Sequence, residues 1–361
     1  MALIRAAVCH AFGEPLTVEE VELRAPVAGE VEVTLGAVAI CHSDITYASG
    51  AWGGSLPAVY GHEAAGVITA LGPNVAGLSL GDRVVVTLIR ACGTCPSCSS
   101  GRPTICDTPY DGDHGPLKTA DGGKLHQAMA SGAFAEKVVV DQSQVVTIPE
   151  TMPMETASLL ACGVITGVGA VVNAAGLRPG QDAVVIGAGG VGLNAIQGAH
   201  IAGARRIVAI DMTEDKLAIA REFGATDGVL ASTEAPWRTV REILGRGADA
   251  VFVTVGAARA YDTAPNYLAK GGKVVMVGMP PSGAASSYEP GNFAALGQGM
   301  VGSKMGDAVI KRDIPWMVDL YQQGRLKLDE LVSGRWSLDQ INEAIADTSS
   351  GAAKRNVITF D

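Results

Sequence analysis

The pattern of apolar and polar positions changes character near Gly163. Before it, short Val-rich runs alternate with Gly, Pro and polar turns: VEVTLGAVAI, AAGVITALG, GDRVVVTL and FAEKVVV. Their β-branched content and scarce helical periodicity predict an irregular, mostly β domain. From Gly163 onward, strand-length apolar runs alternate with helix-length segments: DAVVIGAG, VGLNAIQGAHIAGA, RIVAID, DKLAIAREFGA, ADAVFVTVG, AYDTAPNYLAK and GKVVMVG. Continuous Val/Ile runs mark strands buried on both faces, and this rhythm predicts a parallel, doubly wound sheet. Past Gly302 come two amphipathic segments, RDIPWMVDLYQQG and SLDQINEAIADTSSG. A closing strand, RNVITF, is expected to return to the first domain. The chain therefore reads as α/β, divided into 1–163 with 304–361, and 164–303.

The length of 361 residues suits two domains. With 48% hydrophobic residues, 18% charged and 46 glycines, the chain is globular, with a large core and many tight turns. Lys and Arg number 27 against 37 Asp and Glu, and a net charge of −10 argues against a nucleic-acid partner. The longest apolar stretches are broken by glycine, so no membrane span is expected. MALIRAAVCHAF lacks a secretory pattern, which makes a cytoplasmic location the expectation. In that reducing setting seven cysteines, an odd number, do not form a disulfide framework. Metal ligation or burial has to account for them.

In DAVVIGAGGVGLNAIQGA, Gly187, Gly189 and Gly192 have G-x-G-x-x-G spacing between a predicted strand and a predicted helix. Such a turn brings backbone close to a pyrophosphate at the positive end of a helix. The motif alone is weak in so glycine-rich a chain. The next strand, RIVAI, ends at Asp211, nineteen residues after Gly192, where an acid is expected on the ribose hydroxyls. A carboxylate there repels a 2′-phosphate, so NAD is expected rather than NADP. Lys216 is a candidate for a ribose hydroxyl, against a plainer reading as a solvated helix face.

CGTCPSCSSGRPTIC sets Cys92, Cys95, Cys98 and Cys106 at spacings that let four thiolates converge on one ion. Four thiolates leave no open position, so such a zinc is structural. An iron–sulfur cluster or four free thiols are the alternatives. Cys41 in AICHSDITY, His62 in VYGHEAAG and Cys162 in LLACGVITG are each, taken singly, ordinary core residues. Together they match the two-cysteine, one-histidine ligand set of a catalytic zinc with an open position. Cys9 has no such company and reads as a small buried hydrophobe.

These segments resemble the zinc-containing alcohol dehydrogenases of the medium-chain dehydrogenase/reductase superfamily. CHSD, GHEAAGVI, the four-cysteine lobe, ACGVITG, GAGGVGLNAIQGA and KRNVITF occur in that family's order, nearly end to end. The resemblance implies a GroES-like catalytic domain beside a Rossmann domain, two zinc ions per chain and NAD. It assigns a catalytic zinc to Cys41, His62 and Cys162, with Asp44 fixing the His62 ring. Glu63 is placed behind the metal and paired with Arg355, which is also counted among the cofactor-contacting positions. His42 falls near the pyrophosphate and Thr166 on the nicotinamide side, Gly190 and Val191 lie inside the glycine loop with Val191 against the ring face, and Val277 is a further cofactor-contacting position. Ser43 is the hydroxyl expected to receive the alcohol proton. The relay histidine of the liver-type enzymes is Thr46 here, which alters the proton path.

The implied reaction is hydride transfer between a primary or secondary alcohol and NAD, giving an aldehyde or ketone. Trp52 and Leu88 fall by position in the substrate pocket and favour an apolar or aromatic alcohol. A thiol-dependent formaldehyde dehydrogenase is the alternative: His42 and the long segment between Cys106 and Cys162 are compatible with it, and HGPLK and Arg90 are its candidate basic groups, though no clear basic cluster stands out. From another class, an inactive zinc- and NAD-binding regulator is disfavoured, because Ser43 and all three ligands are retained. A homodimer or homotetramer is expected.

Overall fold

The computed structural model describes residues 2–351 and 353–360. The chain forms two compact units, Met1–Cys162 with Val309–Gly324 and Leu328–Asp361, and Gly163–Ala308 with Arg325–Lys327.

The first unit is built on two sheets. One places Leu117–Thr119, Thr17–Leu23, Ala2–Cys9, Ala58–Val59 and His126–Gln127 side by side. The other runs Val145–Thr147, Arg83–Val86, Glu63–Leu71, Glu30–Ala39, Arg355–Thr359 and Val332–Trp336, with Lys137–Asp141 also paired to Glu30–Ala39. In Glu30–Ala39 burial alternates strictly through its first seven residues, so Val31, Val33 and Leu35 enter the core with Val84, Val86, Val138 and Phe134. The closing strand does pair with Glu30–Ala39, as its sequence suggests.

Two registers decide the chemistry. Ala39 faces Glu63 across one antiparallel ladder, so the residues just past Ala39 and just before Glu63 emerge together. Ala39 also faces Val357, and the Ile40 N–H donates to the Asn356 carbonyl at 2.9 Å, which brings Arg355 up beside Cys41. The helix Met154–Ser158 and the turn Leu159–Ala161 lie against these strands and deliver Cys162. Gly36 permits that approach, since a Cβ there would sit 2.8 Å from Met154 Cγ.

The second unit holds a parallel sheet ordered Asp227–Leu230, Arg206–Asp211, Asp182–Ile186, Ala248–Val253, Leu268–Met276, Gly299–Gly302. The strand order reverses direction between Asp182–Ile186 and Ala248–Val253, the crevice where such sheets bind ligands at their carboxyl ends. The helix read from AYDTAPNYLAK is shorter than expected. It ends at Thr263 because Pro265 stops the ladder, and Leu268–Lys270 already belong to the next strand. Asp227–Leu230 and Gly299–Gly302 have no predicted counterpart, being four-residue edge strands rich in Asp and Gly. Among the described residues no single helix is long and apolar enough to cross a membrane.

Candidate active site and metal centres

Cys41, His62, Glu63 and Cys162 converge in the first unit, each with a donor atom within 4.8 Å of the others, and all four are buried. Cys41 precedes the helix His42–Ala48, whose Asp44 turns its carboxylate back into the core at 1% exposure. That carboxylate is fully engaged. Oδ1 lies 2.9 Å from His62 Nδ1 and accepts from the Gly61 N–H at 2.9 Å, while Oδ2 accepts from the Cys41 N–H at 3.0 Å. One acid thus aligns two donors of the cage.

The cage is incomplete as protein alone. His62 Nε2 is buried and has no hydrogen-bond partner among the described residues. Burial favours the neutral ring, yet the charge of Asp44 holds its pKa well above the ordinary value. The two thiols are driven apart. The Cys162 hydrogen bond, with help from His62, pulls Cys41 well below the usual thiol range, and that thiolate pushes Cys162 up. Two anionic sulfurs and an imidazole lone pair coexist in such a space when a divalent cation sits among them. The donor set fits zinc. Burial pushes Glu63 up to about 7 against the pull of Arg355, to which it is ion-paired, and Arg355 itself is 6% exposed. The ion pair uses Arg355 Nη2, and Arg355 Nε has no hydrogen-bond partner among the described residues, so the guanidinium keeps a donor beyond Glu63.

Cys92, Cys95, Cys98 and Cys106 form the second convergent set, also within 4.8 Å and only half-buried. The loop wraps its backbone N–H groups toward the sulfurs. Cys106 Sγ accepts from the Cys92 N–H at 3.3 Å, Cys92 Sγ from Cys95 at 3.3 Å, and Cys95 Sγ from Cys98 and Asp107 at 3.4 Å. Such bonds stabilise thiolates rather than thiols. The Thr108 hydroxyl and the backbone draw Cys92 down to about 5, whereas Cys98, desolvated beside its neighbours, rises to about 12. As in the cage, thiolates packed this closely need a cation.

In the second unit the three glycines divide the work of the turn. Gly187 has φ +101°, and a Cβ there would meet Val255 Cγ1 at 2.4 Å. A Cβ on Gly192 would meet the Gly187 carbonyl at 1.7 Å, so the helix Gly190–Ile201 packs onto the strand only with glycine. Gly189 has open space beside it, room for a ligand against bare backbone. Asp211 accepts from the Ala188 N–H at 2.6 Å and the Met212 N–H at 2.7 Å, which ties the acid to the loop. Thr254, which the sequence reading missed, donates its hydroxyl toward the Ile186 and Gly187 carbonyls at 2.9 Å.

Residues 27–150 match the alcohol dehydrogenase GroES-like domain, and residues 190–323 match the zinc-binding dehydrogenase family. The chain is 38% identical over 363 residues to an NDMA-dependent alcohol dehydrogenase of Amycolatopsis methanolica, covering 98% of each. The chain belongs to the zinc-containing alcohol dehydrogenase family. Its fold matches an alcohol dehydrogenase zinc-binding domain protein of Burkholderia ambifaria with a TM-score of 0.96 at 35% identity, covering 100% of this chain and 99% of that one. It also matches a benzyl alcohol dehydrogenase of Acinetobacter calcoaceticus with a TM-score of 0.94 at 31% identity, covering 100% of both. A GroES-like domain with a Rossmann-like domain, and zinc-dependent oxidation or reduction of alcohols and carbonyls with NAD, follow from this membership. The relatives favour neither an inactive regulator nor a thiol-dependent formaldehyde dehydrogenase.

The remaining predicted positions of this alcohol dehydrogenase lie as follows. His42 is exposed and Ser43 half-buried at the start of the helix after Cys41. The Thr46 hydroxyl donates to the His42 carbonyl at 2.8 Å, so its proton is spent within the helix. Trp52 stands edge-on to Tyr47 with ring centroids 5.1 Å apart, and Leu88 is half-buried just past Arg83–Val86. In the second unit Gly190, Val191 and Lys216 are half-buried, Thr166 is buried with its hydroxyl 3.8 Å from Met305 Sδ, and Val277 follows the strand Leu268–Met276. Met305 is a further residue the sequence reading missed, and nothing in its apolar pattern marks it.

Proposed function

We propose that this enzyme oxidises apolar or aromatic primary and secondary alcohols with NAD, using one zinc held by Cys41, His62 and Cys162, while a second zinc in the lobe of Cys92, Cys95, Cys98 and Cys106 only supports the fold. The observation that carries this reading is the orphaned His62 Nε2 beside two buried thiols, with Nδ1 fixed by Asp44. Three nitrogen and sulfur donors leave a position for the alcohol oxygen, whereas four thiolates leave none.

When bound, zinc supplies Lewis acidity toward that oxygen and NAD accepts the hydride. Asp44 holds the proton of His62 on Nδ1, keeping Nε2 free as a ligand. Ser43 relays the alcohol proton, taking it on Oγ as its own hydroxyl proton passes on to a ribose hydroxyl or water. Its onward path does not run through a Thr46 proton, because that one is donated to His42. Glu63, neutralised by Arg355, lies among the donors and is poised to exchange with a ligand. The glycine loop takes the pyrophosphate, Asp211 the ribose hydroxyls with selection against a 2′-phosphate, and Lys216 a ribose edge, with His42 near the phosphates. Thr166 and Val191 border the nicotinamide, and Val277 is a further cofactor contact. Trp52 and Leu88 give the substrate pocket its apolar lining. The name of the benzyl alcohol dehydrogenase relative supports the aromatic preference. Seven cysteines without a disulfide support a cytoplasmic setting, and the family resemblance supports a homodimer or homotetramer.

The test follows NADH absorbance with NAD and a panel of aliphatic and aromatic alcohols, with metal counted per chain and with a chelator added. Chelator-sensitive turnover favouring benzylic alcohols is expected. No NADH from any alcohol, in protein carrying about two zincs per chain, refutes the reading.

A further inference from the structure

The glycine turn leaves its strand between two neighbours in matching register. Ile186 is level with Ile210 on one side and with Val253 on the other, so Gly187 stands between Asp211 and Thr254. Each neighbour sends a side chain to the same peptide plane, the one joining Gly187 to Ala188. Asp211 Oδ2 accepts from its N–H at 2.6 Å, and the Thr254 hydroxyl donates to its carbonyl at 2.9 Å. That hydroxyl is shared with the Ile186 carbonyl, also at 2.9 Å, which the Thr254 N–H holds as well at 3.0 Å.

Two glycines of the turn make room for this hydroxyl. A Cβ on Gly187 would lie 2.9 Å from Thr254 Oγ1. One on Gly192 would lie 3.0 Å from that oxygen and 1.7 Å from the Gly187 carbonyl. The carbonyl thus lies against both the Thr254 hydroxyl and the first turn of the helix Gly190–Ile201.

This plane needs holding. Gly187 has φ +101°, and glycine passes between left- and right-handed backbone at little steric cost. A peptide that follows such a residue can rotate, exchanging the directions of its N–H and its carbonyl. The N–H groups next along the chain open the helix Gly190–Ile201 and have no acceptor within it. They and the positive end of the helix favour an anion, and a carbonyl turned among them opposes one. Asp211 secures the N–H end of the plane, but in the NAD reading the same carboxylate also serves the ribose. Thr254 secures the carbonyl end, and its single proton goes to backbone alone.

We propose that Thr254 is a positioning residue for the cofactor: its hydroxyl locks the Gly187–Ala188 peptide, so that the N–H groups after it stay aimed at the pyrophosphate. It acts through the backbone and not by contact with the dinucleotide. The lock raises the share of molecules whose turn already has the binding conformation, and apparent affinity scales with that share. This inference rests on the NAD reading above.

The test compares Thr254→Ala with Thr254→Ser in the zinc-loaded enzyme, since both lack the γ-methyl and only the second keeps the hydroxyl. NADH and ADP-ribose, which share the pyrophosphate, are titrated by calorimetry. Thr254→Ala is expected to weaken both about 3- to 10-fold, the range of one hydrogen bond, and Thr254→Ser to stay within about twofold of wild type. Hydrogen exchange over the glycine turn of the ligand-free enzyme should quicken in Thr254→Ala and not in Thr254→Ser. Thr254→Cys, whose thiol is a weak donor, repeats the comparison in a variant that leaves no gap. Equal NADH affinities in the alanine and serine variants, whether both unchanged or both weakened, overturn the proposal, and so does unchanged exchange. A lower melting temperature with NADH affinity intact also overturns it, because it marks a merely structural hydroxyl. If the wild type binds neither ligand, the NAD reading itself fails and takes this inference with it, whereas wild-type binding with matched variants sinks this inference alone.

Discussion

Asp44→Asn tests whether one carboxylate organises the cage, because it keeps the shape and removes the charge and one acceptor. The carboxylate accepts three hydrogen bonds, two on Oδ1 from His62 and Gly61 and one on Oδ2 from Cys41. An amide placed with its oxygen at the Oδ1 position keeps two of them but turns an NH2 toward the Cys41 N–H. The opposite orientation loses two. The better orientation still forfeits one buried hydrogen bond to a charged acceptor, worth about 1.5–3 kcal/mol, and leaves two donors face to face. It also lowers the basicity of His62, whose pKa Asp44 sustains against burial. Zinc affinity at the cage should fall about 10- to 100-fold, the usual cost of losing such a partner. Zinc in the four-cysteine lobe, which Asp44 does not touch, should stay in place. Titration with a competing chromophoric chelator resolves the two sites, and turnover tracks the weaker one. If Asp44→Asn holds both zincs with wild-type affinity, Asp44 does not orient His62 and the assignment of the cage fails.

Cys98→Ala should cut the metal content from two zincs to one and cost several of the ~10–16 kcal/mol that a structural zinc supplies, read as lower solubility and melting temperature. Asp211→Gly should weaken NAD about tenfold or more and relax discrimination against NADP, which isothermal titration with both cofactors measures. Gly192→Ala, whose Cβ would lie 1.7 Å from the Gly187 carbonyl, should abolish NADH binding while zinc content stays normal. Burial raises Glu30, but the hydrogen bonds from Arg24 and the Val27 N–H, with the charges of Arg24 and Arg90, together outweigh it and hold the carboxyl below its usual range. Its stabilising contribution is therefore complete above the unfolded carboxylate pKa and lost as pH falls through the lower folded value. Urea unfolding of Glu30→Gln should show a deficit at pH 7 that shrinks steadily on acidification below about pH 4.

How much of this was legible in the sequence depended on the range over which each feature is encoded. The glycine turn and the four-cysteine lobe lie within short segments, and local spacing sufficed for both. The long Val/Ile strands were legible because burial on both faces leaves a continuous apolar run. Asp227–Leu230 and Gly299–Gly302 were not, since edge strands of four residues need no such run. The pairing of Arg355 with Glu63 was visible only through family order, because ladder registers at opposite ends of the chain bring the two together. Thr254 carries no local signature, since its meaning lies in the pair of carbonyls that faces it.

With zinc at both sites, as proposed, the two thiol sets also differ in what the metal does for the fold. Cys92 to Cys106 span fifteen residues, so an unfolded chain can gather them around an ion. Any zinc bound in the unfolded state subtracts from the stabilisation that the folded lobe gains. Cys41, His62 and Cys162 are distributed over more than a hundred residues and meet only when three strands, a helix and a turn have found their registers. Zinc in the cage therefore binds the native state alone and contributes its full linkage energy to it. The same ordering protects the chemistry. Until Asp44 has closed on His62 and Cys41, no complete ligand set exists, so the reactive metal is assembled only inside the finished core, whereas the lobe is free to load first and to draw its loop into shape.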